Sequence, residues 1–311
     1  MDNERPAPQE RPQCIDLVGQ FNRRGILRGA AAAMAITAVA RSKIASAEGA
    51  VPANPNTTLG KAIASKSIKV GIAGLAGFGY LGADGKPTGI DVDVLRACMQ
   101  SLGITNLEPV QTAFGSLIPG LNAGQFDAVA AGLVITKQRC SQVAFGDPAA
   151  WTGGAFIVRK GNPKKLHSWA DVVRTEAIFA TGTGSSDINM AKALGIPDSR
   201  ILQFQQFGSN AAVAAGRADF TSAGKLVQVE YLKNNPNPNL EIVDADPVDA
   251  SGNTIKYHSA VAFRPQDTDF RDAYNKELAK LKSSGQLLVL LGRYGLGENE
   301  VPKTTAAALC N

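Results

Sequence analysis

Histidine and tryptophan occur only twice each in the 311 residues, cysteine four times, and aromatic side chains make up 6% of the chain. There is no C-x-x-C pair, and His167 and His258 stand apart from each other and from any cysteine, so no spacing suits a zinc site. Neither histidine has a Ser and an Asp arranged for a catalytic triad; His167 reads as a surface residue and His258 as a packed or hinge residue. No apolar run beyond residue 47 is long enough to cross a bilayer. The basic excess is also thin. Of 32 Lys and Arg and 27 Asp and Glu, seven and four fall within residues 1–47, which leaves 25 and 23 in the remainder, a net of +2. Without a Lys/Arg block or a basic patch interleaved with aromatics, nucleic acid is excluded as an expected partner.

What is present begins with a leader. Asn22-Arg23-Arg24-Gly25-Ile26-Leu27-Arg28 precedes the mildly apolar stretch from Gly29 to Ala40 and the small residues Ala45-Ser46-Ala47. A charged region, a short apolar segment and a small-residue site form a secretory signal, and the paired arginines give it a twin-arginine character. Residues 1–47 are therefore expected to be a signal peptide cleaved near Ala47, and residues 48–66, small and polar, a flexible leader. Cys14 leaves with the signal. Cys98, Cys140 and Cys310 then meet an oxidising compartment, where one disulfide can form and one thiol must be left over, with the pairing open.

The remaining chain, in a protein of 44% hydrophobic content, can bury a substantial core. Ile68–Ala73, Leu107–Gln111 and Asp127–Ala131 read as strands; Val92, Leu95, Met99 and Leu102 make one helical stripe, and Ser116–Ala123 a short helix ended by Gly124. Gly154–Lys160 is another strand, and a second series follows: strand Ala177–Ala180, helix Ile188–Leu194, helix Asn210–Gly216 and strand Ala218–Thr221. A strand returns over Lys256–Phe263, before a helix that turns Phe270, Tyr274, Leu278 and Leu281 inward. Alternating strands and helices imply an α/β fold. Two lobes joined by two strand crossings account for the order: residues 67–157 plus 260–311 in lobe 1, and residues 158–259 in lobe 2.

The segment from Phe114 to Arg139 combines an aromatic, a short helix, a buried strand and an arginine at a helix start. Thr136 is placed to cap that helix, so the Arg139 guanidinium and the helix start are expected to face one carboxylate. Gly77-Phe78-Gly79-Tyr80-Leu81-Gly82 matches the dinucleotide fingerprint G-x-G-x-x-G, but a turn over Ala83–Gly89 follows where that fingerprint needs a helix. The glycines instead let a loop lie close to a ligand, with Phe78 facing it. Gly182-Thr183-Gly184-Ser185 opens a helix and offers backbone and hydroxyl donors to an anion. Trp151 and Trp169 read as core or lobe-surface residues, Trp151 next to the first crossing.

Phe114–Gly124, Ile135-Thr-Lys-Gln-Arg-Cys140, Val143-Ala-Phe-Gly-Asp-Pro148 and Arg159-Lys-Gly-Asn-Pro163 resemble the periplasmic solute-binding proteins of ABC importers, polar amino-acid family, and within it the binders of ectoine and hydroxyectoine. The resemblance runs over about residues 66–311. It implies a type II periplasmic binding protein clamshell, each lobe a mixed sheet flanked by helices, with two hinge strands. It further implies a periplasmic monomer that passes a small solute to a membrane permease without catalysis, cofactor or metal. By resemblance Arg139 binds the carboxylate, Phe78 and Phe114 wall a delocalised cation, and Thr183, Gly184 and Ser185 complete the second-lobe contacts. Val134 stands where a third aromatic wall is usual, Leu75 where ectoine binders carry an acid, and Gly224 where amino-acid binders carry the acid that pairs with the ammonium. A buried ammonium without such a partner is costly, which leaves the ligand open between ectoine-like and amino-acid-derived zwitterions. The competing function is an enzyme similar to cyclohexadienyl dehydratase, which needs a positioned acid or base in the cleft. A receptor's sensing portion is disfavoured, since no membrane segment or signalling domain follows.

Overall fold

The computed structural model describes residues 54–205, 207–247 and 254–311. The twin-arginine segment, the cleavage position near Ala47 and Cys14 lie outside the described residues. Residues 58–65, expected within a flexible leader, form the helix Thr58–Ser65. Its start is capped by the Thr57 hydroxyl, which accepts from the Gly60 N–H, and Leu59 and Ala62, one turn apart, bury against the first core.

Two five-stranded mixed sheets organise the chain. The first has the order Asn106–Gln111, Ser67–Ile72, Ala128–Val129, Ala262–Phe263, Ala144–Phe145, with its first three strands parallel and the returning strand antiparallel. The second runs Ile201–Phe204, Phe179–Gly182, Phe220–Gly224, Gly154–Arg159, Leu240–Asp244, again parallel on one side and antiparallel on the other. Strands covered on both faces read as continuous apolar runs, as Gly154–Arg159 does with five buried residues in succession.

Each sheet carries apolar clusters on its flanks. In the first lobe Val92, Leu95 and Met99 of helix Ile90–Ser101 meet Phe270, Tyr274 and Leu278 of helix Thr268–Ser283, while Leu117, Leu121, Phe126 and Phe145 form a separate cluster. In the second lobe Trp169 is fully buried among Phe156, Phe179 and Phe220, with ring centroids 5.4 to 5.7 Å from its own. Edge-to-face packing of this kind adds to the area each ring removes from water.

The chain passes between the sheets along an antiparallel pair, Ala150–Thr152 with Tyr257–Ser259. Strand Gly154–Arg159 belongs wholly to the second sheet, so the expected limit of the first lobe at residue 157 falls inside a second-lobe strand. The strand pattern located Gly154–Arg159 but carried no sign of which sheet it joins. The returning strand likewise divides in two, Tyr257–Ser259 in the crossing and Ala262–Phe263 in the first sheet. His258 pairs with Trp151 there, while the exposed His167 lies before the helix capped by Ser168. Trp151 does not reach the space between the lobes: its indole N–H donates to the Asn299 carbonyl at 2.9 Å, and the Lys256 ammonium lies 3.9 Å from its ring centroid.

Candidate functional site

Between the sheets lies a cavity of about 150 Å³. A space of that size accommodates a molecule about as large as benzene. Its first-lobe wall comes from two tight loops. Gly132 has φ +70°, and a Cβ there would press on Leu75 and Phe78; a Cβ on Gly79 would strike the Ala130 carbonyl oxygen at 1.9 Å. Only glycine lets the Phe78 loop lie against the end of the buried strand. Asp91 fastens the same junction, its carboxylate accepting from the Gly132 N–H at 2.7 Å. The first N–H groups of helix Ile90–Ser101 are occupied too, since Ile90 and Asp91 donate to the Gly77 and Phe78 carbonyls at 2.9 and 3.2 Å. The glycine motif therefore closes its own helix end and presents no phosphate cradle.

Arg139 is 8% exposed and lines this cavity. Its helix, Lys137–Cys140, is a single turn in which the Thr136 hydroxyl accepts from the Arg139 N–H at 3.2 Å. One turn sums little dipole, so the anion-attracting feature is the guanidinium itself rather than guanidinium and helix start together. The guanidinium donates to the Val134 carbonyl at 2.7 Å and, across the lobes, to the Gly184 carbonyl at 2.9 Å, and it lies 5.6 Å from the Phe114 ring centroid. Among the described residues it makes no ion pair with a carboxylate. Burial pulls it down to about 10, with Asp187 opposing the fall. Two of the five N–H donors are engaged, which leaves a fork able to hold an organic acid.

Phe78, Phe114, Val134, Thr183 and Ser185 line the cavity with Arg139, as do Leu75 and Gly224. Gly184 does not. It faces Gly115 across the lobes, where a Cβ would come within 2.8 Å of the Gly115 Cα, and its carbonyl serves Arg139. The turn also offers fewer anion donors than its composition suggests. The Thr183 and Ser185 N–H groups are spent on the Phe204 and Gly182 carbonyls, and the Ser185 hydroxyl accepts from the Asp187 N–H. At Gly224 a Cβ would meet the Thr152 hydroxyl at 2.7 Å, so the site fills that position from the crossing strand instead.

Sequence reasoning missed Asp187, Asn210 and Tyr257. All three line the cavity and are buried, Asp187 at 2% exposure. Burial pushes the Asp187 carboxyl up, and the Tyr257 hydroxyl donates to its Oδ1 at 3.0 Å. An Asp in a helix's first turn is so common a stabiliser of helix starts that nothing in Ser185-Ser186-Asp187 distinguishes a ligand contact. Among the described residues, no cluster of three His, Cys, Asp or Glu side chains forms that would hold a metal ion, and no helix is long and apolar enough to cross a membrane.

The family model described as bacterial extracellular solute-binding proteins, family 3, matches residues 68–297. A probable amino-acid ABC transporter periplasmic-binding protein of Sinorhizobium fredii is 34% identical over 260 residues, 82% of this chain and 86% of the relative. The crystal structure of EhuB in complex with hydroxyectoine superposes with a TM-score of 0.73 at 31% identity, covering 82% of this chain and 98% of that one. An ancestral amino acid-binding protein, AncCDT-1, described as a precursor of cyclohexadienyl dehydratase, gives 0.65 at 26% identity, covering 76% and 99%.

Proposed function

Because the chain belongs to the bacterial extracellular solute-binding proteins of family 3, we propose that it is exported to the periplasm, captures a small carboxylate-bearing zwitterion between its lobes, and delivers it unchanged to an ABC importer permease. One observation carries this reading: a buried guanidinium, without a carboxylate partner among the described residues, lines the cavity between the sheets together with Phe78 and Phe114. An ion left in such a place is costly until a counter-ion arrives, and the cavity's size suits one ring or one short chain. The ligand class is ectoine-like or amino-acid-derived, in keeping with what the relatives' names say they bind. The signal peptide of residues 1–47 supplies the export, and the mature protein acts as a monomer.

An Arg–carboxylate contact contributes about 1.5 to 3 kcal/mol, whereas micromolar affinity needs about 8, so ring contacts and lobe closure provide the remainder. Titration calorimetry of the mature protein with ectoine, hydroxyectoine, proline, glycine betaine, pyroglutamate and the standard amino acids tests the reading. Binding of at least one in the micromolar range is expected; silence across the panel refutes the ligand class. A second reading, elimination chemistry of the cyclohexadienyl dehydratase type, is favoured by Asp187, a cavity carboxyl whose proton is held more tightly by burial. Turnover of prephenate or arogenate would establish it in place of transport.

A further inference from the structure

Arg139 has a counterpart in the cavity. Among the lining residues it is the one cation and Asp187 the one carboxylate, and the two do not form an ion pair. Asp187 belongs to helix Asp187–Ala193 of the second lobe, and Tyr257 of the returning crossing strand holds its Oδ1. Its other oxygen, Oδ2, is buried without a hydrogen-bond partner among the described residues, and so are Asn210 Oδ1 and the hydroxyl oxygens of Thr152 and Ser222. All four atoms belong to residues that line the cavity.

Leaving a buried acceptor unmatched is costly. Asp187 Oδ2 and Asn210 Oδ1 can only accept, and the Thr152 and Ser222 hydroxyls can accept as well, so a ligand that brings N–H donors satisfies them together. We propose that Asp187, with Asn210 and Thr152, forms the subsite for the ligand's positive nitrogen, and that this subsite selects a nitrogen carrying hydrogens, an ammonium or amidinium, over a quaternary one. A quaternary nitrogen could rest against Phe78 and Phe114, yet it would leave Asp187 Oδ2 and Asn210 Oδ1 without donors. Aromatic walls alone would favour betaines; the acceptors reverse that preference. The inference rests on the proposed capture of a zwitterion, for which Arg139 holds the carboxylate.

The test is calorimetry on the mature protein and on Asp187→Asn, which keeps an oxygen for Tyr257 and removes the charge. The probes are ectoine, hydroxyectoine and the standard amino acids, each one that binds being paired with its fully N-methylated form, and glycine betaine and N,N-dimethylproline are titrated in every case. The expected result is a bound N–H compound whose affinity falls by about 30-fold or more in Asp187→Asn and on N-methylation, with the melting temperature of the ligand-free variant no lower than that of the wild type. Undiminished binding to Asp187→Asn, or a quaternary compound bound as tightly as its N–H parent, overturns the subsite while leaving zwitterion capture standing. If no probe binds the wild type, the capture of a zwitterion fails and the subsite with it.

Discussion

Two buried ionisable side chains of the first lobe set separate properties. Arg139 carries the proposed binding: Arg139→Ala removes one partner of the expected charge-assisted contact and should weaken the bound ligand by about 2 to 5 kcal/mol, roughly 30-fold to several-thousand-fold. Calorimetry reads this directly, and an unchanged affinity would remove Arg139 from the site. Asp91 confers pH dependence on stability. Burial pushes its carboxyl up to about 6 against the hydrogen bonds from the Gly132 N–H and the Ser259 hydroxyl. The folded state thus holds this proton more tightly than the unfolded chain does. The contribution to stability is full below roughly pH 4 and is lost as pH rises through about 6. Asp91→Asn should abolish that change, so urea denaturation at pH 4 and pH 7 should find the variant gaining on the wild type by up to roughly 3 kcal/mol at the higher pH. A constant difference would contradict the assignment. At this scale Arg139, Phe78 and Phe114 were legible because their residue types are unusual beside glycines and a capping threonine. Asp187 and Tyr257 were not, since an Asp near a helix start and a Tyr on a strand are ordinary until folding buries them together.

Short elements hold the site in place, and one covalent bond secures them. Cys140 pairs with Cys310 across 170 residues of sequence, with Cα atoms 5.7 Å apart, while Cys98 is the buried thiol left over. The bond fastens the single turn that carries Arg139 to the C-terminal helix Ala306–Cys310, whose start the Thr305 hydroxyl caps. Closing so long a loop limits the unfolded chain, and Cys310→Ser should lower the unfolding free energy by about 2 to 5 kcal/mol. Urea denaturation without reductant checks this; equal stability of variant and wild type would mean that the bond is not formed. Periodicity revealed the helix with Val92, Leu95 and Met99 and the one with Phe270 and Tyr274, because each buries one stripe along several turns. It found strand Gly154–Arg159 but missed the crossing strand Ala150–Thr152, which is only three residues long and ends a single residue before the second sheet begins. It also missed helix Thr58–Ser65, whose few apolar residues gain their meaning from the neighbours they meet. The pairing of three cysteines depends on tertiary approach, which spacing does not encode.

For the whole molecule, the relevant fact is that the lobes touch beside the cavity. The Arg139 guanidinium reaches the Gly184 carbonyl, Gln138 accepts a hydrogen bond from Asn189, and Gly115 lies against Thr183. A Cβ on Gly115 would stand 3.2 Å from the Thr183 carbonyl oxygen. A branched side chain there, as in Gly115→Val, should hold the lobes apart and weaken binding by about tenfold or more, because apparent affinity falls with the fraction of molecules able to close. Small-angle scattering should find that ligand compacts the wild type more than the variant; equal compaction would place closure elsewhere. Capture of an organic acid between lobes, without conversion, is the central claim. Mass spectrometry of the small molecule released when the purified protein is denatured tests it most directly. The account predicts a chemically intact compound with one carboxylate and one N–H-bearing cationic nitrogen; release of a sugar, a phosphate ester or any molecule lacking a carboxylate would contradict it.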